Sequence, residues 1–365
     1  MLRSAPCAGA LWLLGLGAAD GLRLDAPAEQ MWAAALTAHN PAFAACSPYC
    51  DPHLERVGLV RVPVPQVQKG AALVRIAASS VNPADWEGQQ YDSPSESYPK
   101  LFGIDFAGTV VKTGESCQFR PGDKVWGLSS KTYAEYMLQP CAQMGLASAN
   151  LNLTEVATLP AVAITDVEAF SLVSRDRDLT GKTVLVIGGS GGTGHVAIQL
   201  AKAMNAAKVI ATAGSDHQED CRSFGADQVM DYSTTNFWEA LDARSVDVVI
   251  HCAYVRDFDD DHSAEHADKV LKDGGYFIAM NPGELGPGAI RQLRPAVKPI
   301  PFNVYSVDTY WFDVLRSYIE KGQLRPRLGG IFQLGELATA LRTVQRHHPA
   351  GKLAIQIEGS GLPPS

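Results

Sequence analysis

From residue 183 onward the chain alternates short apolar runs with stretches of helical periodicity. Runs at 183–187, 208–213, 228–230, 246–251 and 275–279 predict strands, and helices are predicted near 193–204, 216–224, 235–243 and 262–272. Runs this short and apolar belong to strands buried on both faces, so the block predicts a parallel sheet with helices on either side. Residues 54–150 have a β-rich pattern instead. Positions 57–64 and 72–77 alternate as strands do, interrupted by Pro63, Pro65 and Gly70, and 106–112 predicts a further strand. Thr113-Gly114 and Pro121-Gly122-Asp123 predict turns, the second leading into Lys124-Val125-Trp126. Thr154 is placed to N-cap a helix running through an apolar stretch to Leu172. Beyond residue 300 the pattern predicts helices at 308–321 and 335–347 and a last strand at 353–357.

A chain of 365 residues with 46% hydrophobic content can fill two cores. Its formal net charge of −8 leaves no basic stripe to neutralise a polyanion, which argues against a nucleic-acid partner. No run of twenty apolar residues follows the leader, so no membrane span is expected after it. The leader has the order of a targeting segment: Arg3, an apolar stretch at 8–16, then the small residues Gly17-Ala18-Ala19. That order predicts a signal peptide over residues 1–20, entry to the secretory pathway and a mature chain beginning near Asp20. The same residues fit a plastid or mitochondrial transit peptide, since Arg3 and Ser4 are present and no acid precedes Asp20, or the alanine-rich terminus of a cytoplasmic chain. Cysteine usage does not choose between these. Without Cys7 six cysteines remain, of which Cys46 and Cys50 are spaced to close a small loop in an oxidising compartment. Asn152-Leu153-Thr154 is a glycosylation sequon, and the acidic patch at 257–261 reads as a solvated loop.

The richest chemistry lies between the strand at 183–187 and the helix that follows. Gly189, Gly191 and Gly194 satisfy G-x-G-x-x-G, with Ser190, Gly192 and Thr193 completing the loop. Glycine suits it because the strand must turn sharply, a pyrophosphate must approach bare backbone, and the helix must pack close to the sheet. The helix start adds unpaired N–H groups and the positive end of its dipole. Set within β/α alternation, the loop predicts dinucleotide binding.

Other short motifs occur in a set order. Val81-Asn82-Pro83-Ala84-Asp85 comes first, then Phe102-Gly103-Ile104-Asp105-Phe106-Ala107-Gly108-Thr109-Val110, then Phe119-Arg120-Pro121-Gly122-Asp123-Lys124-Val125. Ala157-Thr158-Leu159-Pro160-Ala161, the glycine loop, Phe224-Gly225-Ala226-Asp227, Asp231-Tyr232 and Pro349-Ala350-Gly351-Lys352 follow. In these, over residues 56–358, the chain resembles the medium-chain dehydrogenase/reductase superfamily, in its zinc-independent quinone oxidoreductase and enoyl reductase branch. The resemblance implies an α/β protein of two domains. A Rossmann NADP-binding domain, a doubly wound parallel sheet at 158–301, would interrupt a β-rich GroES-like catalytic domain built from 21–157 and 302–358. Homodimers are common among such proteins.

The resemblance also implies hydride transfer without a metal. Zinc-dependent relatives carry a Cys ligand near Asn82-Pro83, and Phe102-Gly103-Ile104-Asp105 stands where they have Gly-His-Glu. No C-x2-C pair is present for a structural zinc. His262-Ser263-Ala264-Glu265-His266 matches H-x-x-E-H, yet its place after the acidic loop reads as the solvated face of a helix. In the second strand of the block, 208–213, there is no acid to hold a ribose hydroxyl. The resemblance puts Ser215 and Tyr232 beside a 2′-phosphate instead, which favours NADPH. Gln218 replaces a lysine common in the family; Arg222 is placed to supply that charge, and Asp216 reads as a helix cap.

At the substrate end, the resemblance sets Asn82 near the nicotinamide, in a catalytic and cofactor-binding role, with Thr165 and Lys352 also at the cofactor. Asp166 follows Thr165 where the family has alanine. Tyr91 matches the tyrosine that hydrogen-bonds a substrate carbonyl, two residues short of the usual spacing from Asn82. His195 reads as packing near the phosphates and His251 as structural. Two functions follow from these residues. One is an NADPH-dependent reductase of quinones or α,β-unsaturated carbonyls. The other is a non-enzymatic cofactor-binding or interaction protein, favoured by Asp166, Gln218 and the short Asn82–Tyr91 spacing.

Overall fold

A computed structural model of the chain describes residues 29–38, 56–87, 97–253, 263–280, 292–301, 307–347 and 349–362. Strands dominate its first part: β1 (Gln30–Leu36), β2 (Val57–Pro63), β3 (Ala71–Ser80), then, after the short helix α1 (Pro83–Glu87), β4 (Lys100–Leu101), β5 (Asp105–Thr113), β6 (Lys124–Leu128), β7 (Tyr136–Pro140) and β8 (Met144–Leu146). Helices α2 (Leu153–Val156) and α3 (Pro160–Val173) lead into the β/α block. That block comprises β9 (Thr183–Ile187), α4 (Gly194–Ala203), β10 (Lys208–Ala213), α5 (Gln218–Ser223), β11 (Gln228–Asp231), α6 (Phe237–Ala240), β12 (Val246–His251), α7 (Ser263–Val270), β13 (Leu271–Ala279) and β14 (Lys298–Pro301). The chain closes with α8 (Thr309–Glu320), β15 (Leu328–Gln333), α9 (Leu337–His347) and β16 (Lys352–Gln356).

The block forms one six-stranded parallel sheet in the order β11-β10-β9-β12-β13-β14. Counted along the chain this is 3-2-1-4-5-6, the Rossmann order. The strand stretches that line its two cores are apolar because both faces are covered. Val184, Val186, Val248 and Ile250 pack with α3, α4 and α8, whereas Leu185, Val249 and Phe277 pack with α7 on the opposite face. The terminal strands return to the other unit. β15 and β16 extend a seven-stranded sheet, β15-β16-β3-β5-β6-β8, with β7 paired to β3. A three-stranded sheet β2-β1-β4 joins it through backbone bonds of β1 to residues 133–135. α8 packs Phe312 edge-on against Trp126 at 5.4 Å and so couples the return segment to β6.

One local expectation needs correction. The helix predicted to run unbroken from Thr154 is two helices, and its cap is Asn152. The Asn152 side chain accepts the Glu155 N–H at 3.0 Å while the Glu155 carboxylate accepts the Asn152 N–H at 2.9 Å. Pro160, with no N–H to continue α2, starts α3 instead. The cysteine pair that closes among the described residues is Cys117–Cys141, 24 positions apart. Cys46, Cys50 and the leader lie outside the described residues.

Candidate active site

β9 and β12 are neighbours whose chain connections depart in opposite directions, which opens a crevice beyond their C-terminal ends. The glycine loop lines it. Gly188 N–H donates to Thr212 Oγ1 at 3.1 Å and Gly189 N–H to the Thr212 carbonyl at 2.8 Å, tying the loop to β10. Gly194 opens α4 so near this turn that a Cβ would sit 2.1 Å from the Gly188 carbonyl oxygen. Gly191 differs: a Cβ there would meet nothing nearer than 3.4 Å, so no contact inside the protein demands glycine. Its bare backbone suits a group that approaches from the crevice. Thr193, at the N-cap, makes no side-chain bond to the first N–H groups of α4. The Gly191 and Thr193 carbonyls accept the His195, Val196 and Ala197 N–H groups. An anion would therefore be met by the positive end of the helix dipole and by N–H groups earlier in the loop. The loop therefore fits a dinucleotide pyrophosphate.

At the end of β10, pairing of Ala213 with Asp231 brings Ser215 and Tyr232 to the same corner. Tyr232 is two-thirds exposed, and its hydroxyl is 3.4 Å from where a Cβ of Gly214 would stand. Ser215 Oγ donates to Asp216 Oδ1 at 3.3 Å. Asp216 does not cap α5 as expected, because a 3₁₀ turn at Ser215–His217 intervenes and His217 takes the N-cap position without a side-chain bond. Arg222 is engaged along its own helix, by Gln218 Oε1 at 3.1 Å and Glu219 at 3.4 Å.

Across the crevice, β3 ends at Ser80 and a buried polar cluster begins. Asn82 donates its N–H to Asp85 Oδ2 at 2.7 Å and its Nδ2 to Asp105 Oδ2 at 2.8 Å, and its Oδ1 accepts from Lys352 Nζ. Lys352 Nζ also donates to the Val81 carbonyl at 2.8 Å and lies 3.6 Å from Asp105. Asp105 further accepts Ser80 Oγ at 2.5 Å and the Ala161 N–H at 2.7 Å, so one carboxylate joins β3, β5, α3 and β16. Burial holds the Lys352 amine below its usual pKa, against the pull of Asp105 and Asp85. Burial likewise pushes the Asp85 carboxyl up to about 7, although hydrogen bonds from the Tyr133 hydroxyl (2.7 Å) and the Asn82 N–H oppose the rise. The Tyr133 phenol is held well above its ordinary range by burial and by Asp85.

Lys352 links this cluster to the glycine loop. Its stem passes Gly192, where a Cβ would lie 2.9 Å from Lys352 Cδ, while its ammonium turns toward Asn82. Thr165 is half-buried and donates its hydroxyl to the Ala161 carbonyl at 2.6 Å within α3. Asp166 beside it is fully buried, and among the described residues neither carboxyl oxygen meets a hydrogen-bond partner. Burial keeps that acid protonated far above the usual carboxylate range. His251 lies 3.2 Å from Ser263 Oγ, and His266 stacks on Trp238 at 3.6 Å; His262 and Tyr91 fall outside the described residues. Among the described residues no group of three or more His, Cys, Asp or Glu side chains is arranged to hold a metal. The sequence reading passes over Asp105, Asp85 and Tyr133 as site residues. The signal for Asp105 is a carboxylate set in the apolar run at 102–110.

A six-stranded Rossmann sheet interleaved with a strand-rich unit, with a polar cluster facing the glycine loop, defines a nicotinamide-dinucleotide-dependent oxidoreductase. Residues 68–168 match the alcohol dehydrogenase GroES-like domain and residues 224–355 the zinc-binding dehydrogenase family. The chain belongs to the medium-chain dehydrogenase/reductase superfamily, in its zinc-independent quinone oxidoreductase branch. It is 30% identical over 311 residues to the chloroplastic NADPH-dependent alkenal/one oxidoreductase of Arabidopsis thaliana, covering 80% of this chain and 73% of that protein. Identity to the chloroplast envelope quinone oxidoreductase homolog of the same plant is 33% over 312 residues, 81% and 93% of the two chains. The quinone oxidoreductase structure from Coxiella burnetii superposes with a TM-score of 0.73 at 25% identity, over 90% of this chain and 99% of that one.

Proposed function

We propose that this chain is an NADPH-dependent reductase that delivers hydride, without zinc, to a quinone or an α,β-unsaturated carbonyl. One juxtaposition carries the reading: Lys352 lays its stem on Gly192 of the phosphate loop and its ammonium on the Asn82 carboxamide. The relatives named for alkenal/one and quinone reduction support it. When bound, the nicotinamide supplies the hydride. The protein's part is placement. The loop at 188–194 holds the pyrophosphate, Ser215 and Tyr232 hold the 2′-phosphate, and Thr165 and Asn82 flank the nicotinamide. Asn82 cannot swing, because Lys352 engages its oxygen and Asp105 its nitrogen. A fixed carboxamide would give the nicotinamide a rigid wall, and rigid placement of the reacting groups is where most of the rate would arise. Tyr91 is the proposed donor to the substrate oxygen as negative charge develops there.

The leader then serves as a targeting segment. Relatives that are chloroplastic or mitochondrial support an organelle over the secretory pathway. The expected assembly is a homodimer. The decisive experiment follows NADPH absorbance with a panel of enones and quinones, before and after exhaustive chelation. Steady, chelator-resistant oxidation is expected; binding without turnover across the panel would leave the non-enzymatic reading.

A further inference from the structure

His195, the second residue of α4, is fully buried and has no part in the hydride transfer described above. The Arg327 backbone N–H donates to its Nε2 at 3.2 Å. A backbone N–H can only donate, so Nε2 is unprotonated and Nδ1 carries the hydrogen, which it gives to the Gly191 carbonyl at 3.0 Å. Burial holds the ring pKa down at about 4; Lys352 and Arg327 act in the same direction, and the Gly191 and Gly192 carbonyls oppose them. Behind the Arg327 guanidinium lie Asp220 at 2.7 Å and, paired to Asp220, His217. The Phe224 ring packs beside the imidazole.

One turn along α4, Gln199 repeats the grip. Its Oε1 accepts the Arg325 N–H at 3.0 Å and its Nε2 donates to the Arg325 carbonyl at 2.9 Å. Both side chains therefore hold the segment that leads into β15, but His195 alone of the two reaches back to the loop. Because a peptide bond is planar and trans, fixing the Gly191 carbonyl directs the Gly192 N–H the opposite way. The neighbouring Ser190 carbonyl is fixed from the same side by the Gly351 N–H at 2.8 Å.

We infer that His195 is a positioning residue for the dinucleotide, one that makes the shape of the phosphate loop conditional on its own bond to the Arg327 backbone. Cofactor affinity then depends on the strand-rich unit as well as on the Rossmann sheet. This rests on the NADPH reading above.

The test is calorimetric titration of the full chain with NADPH and with acid-stable NADP⁺, using His195→Leu, His195→Gln and Gln199→Leu. Leucine fills the volume of the ring and keeps neither bond, whereas glutamine offers one donor and one acceptor. His195→Leu should raise the NADPH Kd about tenfold, as expected for losing a buried hydrogen-bonded pair, with kcat at saturating NADPH nearly unchanged. His195→Gln should restore most of the affinity. Gln199→Leu should lower Tm as His195→Leu does and leave Kd nearly unchanged. Below about pH 5 the Kd of the unaltered chain for NADP⁺ should rise more steeply than that of His195→Gln, since protonation removes the acceptor at Nε2. Affinity indifferent to His195→Leu, an equal loss in Gln199→Leu, or identical acid profiles would each overturn the inference. If the unaltered chain binds neither nucleotide, the cofactor reading falls and this inference with it. Binding that ignores His195 defeats this inference alone.

Discussion

The Lys352 ammonium lies 3.6 Å from the Asp105 carboxylate, and both groups are shut away from solvent. Each is fully engaged, Lys352 by Val81 and Asn82 and Asp105 by Ser80, Asn82 and Ala161. Removing one partner would strand the other charge. Lys352→Met should therefore cost on the order of 3–5 kcal/mol of stability and release Asn82, with loss of turnover. Urea unfolding checks the first part; a loss below about 1 kcal/mol would mean that water reaches Asp105.

Asp85 sets a pH slope. Its folded pKa of about 7 stands above an unfolded value near 3.9, so the folded state binds that proton more tightly. The resulting stability is complete below roughly pH 4 and is lost as pH rises through about 7. Asn in its place still accepts from Tyr133 and the Asn82 N–H. Asp85→Asn should remove a decline on the order of a few kcal/mol between these limits, read from urea curves at several pH values. An unaltered slope would assign the titration elsewhere.

Asp166 is an unpartnered acid inside a helix. Asp166→Ala takes away an unsatisfied group and inserts the best helix former, so it should stabilise by about 1–3 kcal/mol, several degrees in Tm. Its raised pKa also makes wild-type stability fall as pH climbs above the normal carboxylate range, a component the variant lacks. A lower Tm would reveal a partner for the carboxyl.

NADPH should bind at least about tenfold more tightly than NADH, a difference near 1.4 kcal/mol. Ser215→Ala and Tyr232→Phe should each narrow it, since the Tyr232 hydroxyl lies beside Gly214 and Ser215 is the next residue along. Equal affinities in a titration would show that replacing the common lysine by Gln218 decides the matter.

Tyr91→Phe should slow enone reduction about tenfold to a thousandfold in kcat, the usual scale for one donor to a developing oxyanion. Quinones should suffer less, because the reduced ring delocalises charge. Steady-state rates with both substrate types check this, and an unchanged enone rate would leave solvent as the proton source.

Periodicity was sufficient for the sheet at 183–279, because strands covered on both faces need an unbroken apolar run and helices between them need a turn of amphipathic spacing. It was insufficient for β1, β7, β8, β14 and β15. β7, β8, β14 and β15 are short or carry proline or glycine, β1 is rich in alanine, and all of them exist by pairing with other segments of the chain. Asn152 illustrates the same limit on a small scale. Asn152 and Thr154 are both cap formers, and only the reciprocal bond with Glu155 chooses between them.

The glycine loop, the absence of an acid in β10 and the missing Cys and Gly-His-Glu motifs are local facts, each held within a few residues. The sequence by itself therefore determined the Rossmann block, the glycine loop after its first strand and the branch of the superfamily. Which side chains meet Asn82 was decided only by the tertiary structure. Lys352 is 270 positions away from Asn82, Asp105 is 23 away and Tyr133 is 48 from Asp85. A buried charge depends on partners that folding brings from separate strands, and pattern along one chain carries no record of that distance.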